Sequence, residues 1–323
     1  MTLPPPAEWA PHDAVWIGFP SHAELWLEDL EPAQAEVAGF ANAVHAGGRG
    51  ERVILVAAND EAAEAARKLA PHADVIVEAF GDIWLRDTAA ILDGQGVAHD
   101  FDFNYWGGKY DLPGDKDVGA RLAARAQLRT ERHDWILEGG AIDGDGTGRC
   151  VTTEQCLLNP NRNPDLSRQD IEARLQADLG YTSVLWLGDG LANDHTDGHV
   201  DNLARFVGEN RLLVPQGTQD DPNTAIYDDA AARAQAAGID VVRFPSPGRV
   251  LDEDGEIIPA SYMNFYIGNA VVVAPVYGQP NDQAALDALG GLFPGRDIVG
   301  VRADHILTGG GSVHCISQQL PRL

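Results

Sequence analysis

Short apolar runs bounded by Gly, Pro, Asn and Asp alternate along the whole chain with stretches in which apolar positions return every third or fourth residue. The runs predict strands at Val15–Phe19, Arg52–Ala57, Val75–Phe80, Val184–Leu187, Arg211–Pro215, Val241–Phe244 and Ala270–Val276, each rich in branched or aromatic side chains. A helix is predicted from Glu31 to Ala46, where Val37, Phe40, Ala41 and Val44 form one apolar stripe. Further helices begin near Asp60, Asp117, Ser167, Thr224 and Asn281, and Ser167 with Asp170 three residues on is a capping signature. From Asp60 onward the starts lie roughly 50 to 57 residues apart, so the mixed α/β pattern points to a repeated strand-helix unit rather than one doubly wound sheet.

No Pro- or Ser-rich linker or long charge block interrupts the 323 residues, which reads as a single domain over 1–323. AIDGDGTGRC, LLNPNRNPD and FPSPGRVLDEDGE carry the densest turn chemistry and read as loops or hairpin connections. No apolar run is long enough to span a bilayer, and MTLPPPAEWAP does not resemble a secretion leader, so a cytoplasmic protein without a membrane partner is expected. The formal net charge of -26 would repel a phosphate backbone, which argues against nucleic acid and leaves room for a cationic partner. Cys150, Cys156 and Cys315 are too few and too unevenly placed for a disulfide framework. Cys150 and Cys156 are read as structural thiols.

Four stretches set polar residues directly against glycine and strand-like apolar residues: DIWLRD, WILEGG, NDHTDGHVDN and TGGGSVHCISQQLP. In the last, Cys315 follows a triple glycine that lets backbone approach another group closely, although a lone cysteine also fits as a small buried apolar residue. NDHTDGHVDN admits a metal site through His195 and His199, but residues four apart share a face only on a helix, and Gly198 amid Asp and Thr favours a loop. In an extended segment His199 and Asp201 point the same way, which suits an acid-base group beside an anionic anchor. DIWLRD sets Asp82, Arg86 and Asp87 around Trp84, and WILEGG ends an apolar triplet in Glu138; each alone also reads as a strand end with a solvated carboxylate.

Together Asp87, Asp201, Glu138, His199 and Cys315 form an inventory suited to attack on a guanidinium carbon. Planar carboxylates can clamp guanidinium N–H groups by charge-assisted hydrogen bonds and leave the central carbon exposed. A thiolate is then the fitting nucleophile, stabilised by the bound cation itself, and histidine completes the acid-base work.

The four stretches in this order, with AEWAPHDAVWIGFP at the start and TTEQCLLNPNRNP after LEGGAID, resemble the agmatine deiminase family and its relatives, the bacterial-type peptidylarginine deiminases, over nearly the whole chain. The resemblance implies a five-bladed α/β propeller, the pentein fold, built from pseudosymmetric ββαβ repeats around a central pocket. It also implies Cys315 as nucleophile, His199 as general acid and base, Asp87 and Asp201 as guanidinium clamps, Glu138 as a partner of His199 and substrate, and Trp84 as a pocket wall. The implied reaction converts agmatine to N-carbamoylputrescine and ammonia through a thiouronium on Cys315, with no metal or organic cofactor.

One position departs from the family: the residue four before the acid-base histidine, acidic in many agmatine deiminases as a group for the substrate's distal amine, is His195 here. Asp194 or another acid could take its place. Alternatives within the fold are deimination of arginine, peptidyl arginine or a guanidino acid, or amidino transfer to an amine. A substrate carboxylate would call for a pocket arginine, with Arg86 and Arg162 as candidates. Outside catalysis, a polyamine- or guanidine-binding protein would need neither Cys315 nor His199. His314 is read as a packing or hydrogen-bonding neighbour, and assembly into a homo-oligomer is compatible with the sequence.

Overall fold

The structure is a computed structural model that describes residues 2–218 and 220–323. Its sixteen strands are β1 (His12–Phe19), β2 (Arg52–Ala57), β3 (Asp74–Val77), β4 (Ile91–Leu92), β5 (Val97–Asp102), β6 (Arg129–Ile136), β7 (Asp143–Gly144), β8 (Arg149–Thr153), β9 (Ser183–Leu187), β10 (Arg205–Gly208), β11 (Arg211–Gln216), β12 (Asp240–Pro245), β13 (Tyr266–Ile267), β14 (Val271–Val276), β15 (Asp297–Arg302) and β16 (Ser317–Pro321). Six longer helices join them: α1 (Leu30–His45), α2 (Asp60–Leu69), α3 (Asp115–Arg125), α4 (Arg168–Leu179), α5 (Thr224–Ala236) and α6 (Asp282–Leu292).

Among the described residues the strands form five small sheets, in the orders β4-β5-β6, β7-β8-β9, β10-β11-β12, β13-β14-β15 and β16-β1-β2-β3. The first four share one plan: a short strand pairs antiparallel with a central one, a helix crosses over, and the next strand returns parallel to the centre. This is a ββαβ unit, since a parallel return needs a crossover long enough to hold a helix. The remaining sheet is closed by the far end of the chain: β16 lies antiparallel to β1, with Ile17 opposite Ser317, while β2 and β3 continue in parallel. Both ends of the chain therefore meet in one sheet, and the architecture is the α/β pentein arrangement that the motifs imply.

The central strands are the most apolar because helices cover them. Val53 to Ala57 in β2, Leu212 to Val214 in β11 and Val271 to Ala274 in β14 are buried. In α1 the buried stripe is Ala33, Val37, Phe40, Ala41 and Val44, and the helix ends where Ala46 turns into the left-handed region at φ 48°. The predicted cap forms at α4, with reciprocal bonds between Ser167 and Asp170, and Gly180 at φ 69° closes the other end. All six predicted helices are present. The predicted strand at Val75–Phe80 stops at Val77, and beyond it Gly81 N–H donates to Asp115 Oδ1 instead of to a neighbouring strand.

Candidate active site

Each of the five sheets is entered through a segment that delivers part of one polar cluster. Asp87 lies on a one-turn helix (Leu85–Thr88) before β4, and Glu138 with Gly140 lies between β6 and β7. His199 and Asp201 precede β10, Asn264 precedes β13, and Cys315 precedes β16. His199 and Asp201 are not on a strand, as the two-residue spacing suggested; Val200–Asn202 is a 3-10 turn with His199 at its cap. They reach the same place because Asp197 (φ 63°) and Gly198 (φ 85°) bend the chain into it.

The predicted residues Asp87, Glu138, His199, Asp201 and Cys315 are all buried. Their closeness requires backbone without a side chain: a Cβ on Gly140 would lie 2.7 Å from His199 Nδ1 and 2.8 Å from Asp87 Oδ1. Asp87 accepts from Gly140 N–H at 3.0 Å and from Trp106 Nε1 at 2.9 Å. Asp201 Oδ2 accepts from His314 Nδ1 at 2.8 Å and lies 3.5 Å from Cys315 Sγ. Asn264 Nδ2 donates to Cys315 Sγ at 3.0 Å, and Asn264 Oδ1 accepts from the backbone N–H groups of His314 and Cys315. Glu138 Oε1 takes the Arg162 guanidinium at 2.6 Å. Among the described residues, Glu138 Oε2, Asp201 Oδ1 and both ring nitrogens of His199 are buried without a hydrogen-bond partner. Orphaned polar atoms are costly and rare, so their convergence marks a ligand site.

The electrostatics point the same way. Burial, reinforced by the Asp201 and Glu138 carboxylates, pushes Asp87 up to about 6 against the pull of His199. His199 lies well above the usual histidine range, because Asp87 at 3.6 Å, the Cys156 sulfur and then Glu138 favour its cation despite burial. Burial and the Asp201 and Asp87 carboxylates hold the Cys315 thiol well above the ordinary cysteine range. Asp201 is lowered despite burial, through His314, His199 and Arg205. The site gathers negative charge and holds protons, the state expected of a pocket that takes a cation.

A cavity of about 330 Å³ opens onto Cys315 and Asp87. Trp84 lines it as expected, its indole packed on Gly309 and Gly311 and tied to Asp82 Oδ2 at 2.6 Å. Trp26, Trp106, Leu25 and Leu27 add apolar wall, and the acids are Glu28, Asp29, Asp82 and Asp87. No Lys or Arg is among the lining residues. Arg162 is spent on Glu138, Asp197 and the Thr196 carbonyl, and Arg86 sits on the far side beside Glu8. His195 stands at the mouth with Nδ1 2.9 Å from Tyr110 Oη, while Asp194 is turned inward to Thr196 and Asn202.

Sequence reasoning missed Asn264, which SYMNFY does not distinguish from any buried amide, and Glu8, which contacts His314 Nε2 at 2.8 Å. His314 is more than a packing neighbour, since it bridges Glu8 and Asp201. Cys156, read as a structural thiol, lies with Glu138 and His199 such that one ligating atom of each falls within 4.8 Å of the others.

A family model described as Porphyromonas-type peptidyl-arginine deiminase matches residues 5–321. The agmatine deiminase of Stutzerimonas stutzeri is 37% identical, with 98% of this chain and 95% of that protein covered. Among solved structures, the agmatine deiminase of Enterococcus faecalis superposes with a TM-score of 0.91 at 30% identity, covering 99% of this chain and 96% of that one. The agmatine deiminase of C. jejuni gives 0.89 at 27% identity over 99% and 97%. With nearly its full length matched, the chain belongs to the Porphyromonas-type peptidyl-arginine deiminase family.

Proposed function

We propose that the protein hydrolyses agmatine to N-carbamoylputrescine and ammonia, with Cys315 as nucleophile and His199 as acid and base. The observation that carries this reading is the set of unpartnered acceptors, Asp201 Oδ1 and Glu138 Oε2, buried in the cluster that holds Asp87 and Cys315, the two of its members that line a pocket whose carboxylates are Glu28, Asp29, Asp82 and Asp87. A guanidinium carries the planar set of N–H donors that such acceptors require. Asp87 and Asp201 bind it, and its positive charge favours ionisation of the neighbouring thiol, whose proton passes to water while His199 keeps its own. The Cys315 Sγ then adds to the guanidinium carbon.

In the tetrahedral adduct the protonated His199 gives its proton to the departing nitrogen, and the C–N bond breaks to release ammonia. A thiouronium remains on Cys315. The ring, now neutral, takes a proton from water as the oxygen adds to the same carbon; on collapse the C–S bond breaks, the hydroxyl proton goes to the departing sulfur, and the urea product is freed. The raised proton affinity of His199 suits the first role, and loss of that proton prepares the second.

The pocket also supports agmatine over arginine. A second positive charge at the distal end meets Glu28, Asp29 or Asp82, whereas a carboxylate finds no Lys or Arg among the lining residues. Mass spectrometry of protein quenched during turnover should show the amidino carbon added to the peptide that carries Cys315, and Cys315→Ala should fold but release no ammonia. Turnover by that variant would remove the assignment.

A further inference from the structure

Cys156 is the one buried thiol beside the candidate catalytic groups for which the proposed chemistry has no use. It sits on the one-turn helix Glu154–Leu157, whose start is capped by Thr153 accepting from the Cys156 N–H. Its Sγ, a carboxylate oxygen of Glu138 and a ring nitrogen of His199 all lie within 4.8 Å of one another, and all three residues are buried. Glu138 Oε2 and both His199 nitrogens have no hydrogen-bond partner among the described residues. A thiol alone would carry no argument. A buried carboxylate oxygen and a buried imidazole nitrogen within 4.8 Å of it do.

We propose that Glu138, Cys156 and His199 form an inhibitory site for a thiophilic divalent cation, zinc being the fitting ion. One sulfur, one imidazole nitrogen and one carboxylate oxygen are a donor set that zinc accepts and that calcium or magnesium does not. Ligand atoms around a tetrahedral zinc stand roughly 3.3–3.8 Å apart, so side-chain movements of about 1 Å close the cluster. Binding exchanges two protons for metal bonds: Cys156–SH, the His199 imidazolium and Zn²⁺ give the ion bound by Cys156–S⁻ and the neutral His199 ring, and two H⁺. Thiolate and carboxylate together offset the ion's two charges. Arg162, on the other oxygen of Glu138, stays outside the ligand set and keeps that carboxylate in place.

The consequence follows from His199. A ring nitrogen bonded to zinc can neither give a proton to the leaving nitrogen nor take one from water, so the ion stops turnover without touching Cys315. The inhibition rests on the proposed role of His199, whereas the binding rests only on the three side chains. Because the thiol and the His199 ring each release a proton, zinc should bind more tightly as pH rises.

Two readouts separate these parts. Competition with a chromophoric chelator measures zinc binding in the parent, Cys156→Ser, Cys156→Ala and Cys315→Ala; agmatine turnover with and without zinc is compared in the parent and the two Cys156 variants only, each referred to its own zinc-free rate. One equivalent should bind the parent and suppress turnover reversibly on chelation. Loss of the sulfur ligand should weaken binding by about a hundredfold or more. Cys315→Ala should bind as the parent does. Failure of the parent to bind, parent-like affinity in both Cys156 variants, or loss of zinc from Cys315→Ala each overturns the proposal. If agmatine proves not to be the substrate, the chelator titration still decides the site.

Discussion

Asn264 gives the sharpest test of how the nucleophile is held. Its amide donates to Cys315 Sγ at 3.0 Å and to Asn202 Oδ1 at 2.9 Å, while its carbonyl accepts from the N–H groups of His314 and Cys315. Burial and two carboxylates push the thiol up, and the Asn264 donor works against them. A hydrogen bond to a charged acceptor contributes about 1.5–3 kcal/mol, so Asn264→Ala should lower turnover by roughly ten- to 150-fold. The same change strips Cys315 N–H of its acceptor and should cost about 1–3 kcal/mol of stability.

Asn264→Asp separates the two effects. It keeps an acceptor for the backbone N–H groups, removes the donor, and sets a further carboxylate beside Asp201, to which the amide now points at 3.3 Å. Its stability should lie nearer the parent than that of the alanine variant, yet its thiol should be the hardest to ionise. Two assays check this: turnover of saturating agmatine, and the rate of Cys315 alkylation in substrate-free protein across roughly pH 6 to 10. Removing the donor raises the thiol, so the alkylation curve should move to higher pH in both variants. If Asn264→Ala stays within about threefold of the parent and its alkylation curve is unmoved, the amide does not serve the sulfur.

Asp87→Asn and Asp201→Asn should each lower kcat/KM for agmatine by about two to nearly four powers of ten, because losing one partner of a buried ion pair costs about 3–5 kcal/mol; a variant within about tenfold of the parent is not a clamp. Burial holds Asp82 and Asp87 near 6 and Asp115 near 7, and His199 is raised as well. Groups whose folded pKa exceeds the unfolded one bind protons more tightly when folded, so stability should rise as pH falls from about 8 to about 5, and a flat or falling melting temperature over that range would contradict the raised values. Agmatine should be turned over with higher kcat/KM than arginine, and His195→Glu should lower KM for agmatine by up to about fivefold, the scale of an exposed ion pair, without helping arginine. An arginine preference in the parent would sink the substrate assignment.

Legibility in the sequence followed burial. The strands Arg52–Ala57, Arg211–Pro215 and Ala270–Val276 were readable because helices cover them, which demands apolar side chains at nearly every position. The short outer strands β4, β7 and β13 were not, since two residues carry no periodicity. β6 reads RTERHDWI, and most of its length is polar because it is solvated rather than packed. The candidate site was readable where polar residues stand against glycine, as at Glu138 and Cys315. Asn264 and Glu8 were not, because their contacts with Cys315 and His314 span 51 and 306 positions and leave no local mark.

Those distant partners also explain how a pocket so rich in buried acid is held ready. Asp201 gives Oδ2 to His314 and keeps Oδ1 open; Glu138 gives Oε1 to Arg162 and keeps Oε2 open. In each carboxylate the protein fixes one oxygen and thereby aims the other, so little reorientation is left for the moment of binding. His314 stands between two carboxylates, with Nδ1 2.8 Å from Asp201 Oδ2 and Nε2 2.8 Å from Glu8 Oε2. Arg205 in turn pairs Glu8 at 2.8 Å and Asp143 at 3.0 Å. Buried pairs of this kind contribute little net stability, but breaking one leaves a charge without an answer. The chain from Arg205 through Glu8 and His314 to Asp201 therefore acts on position rather than on folding energy: it fixes one carboxylate beside the sulfur by tying the first segment of the protein to the residue that precedes Cys315.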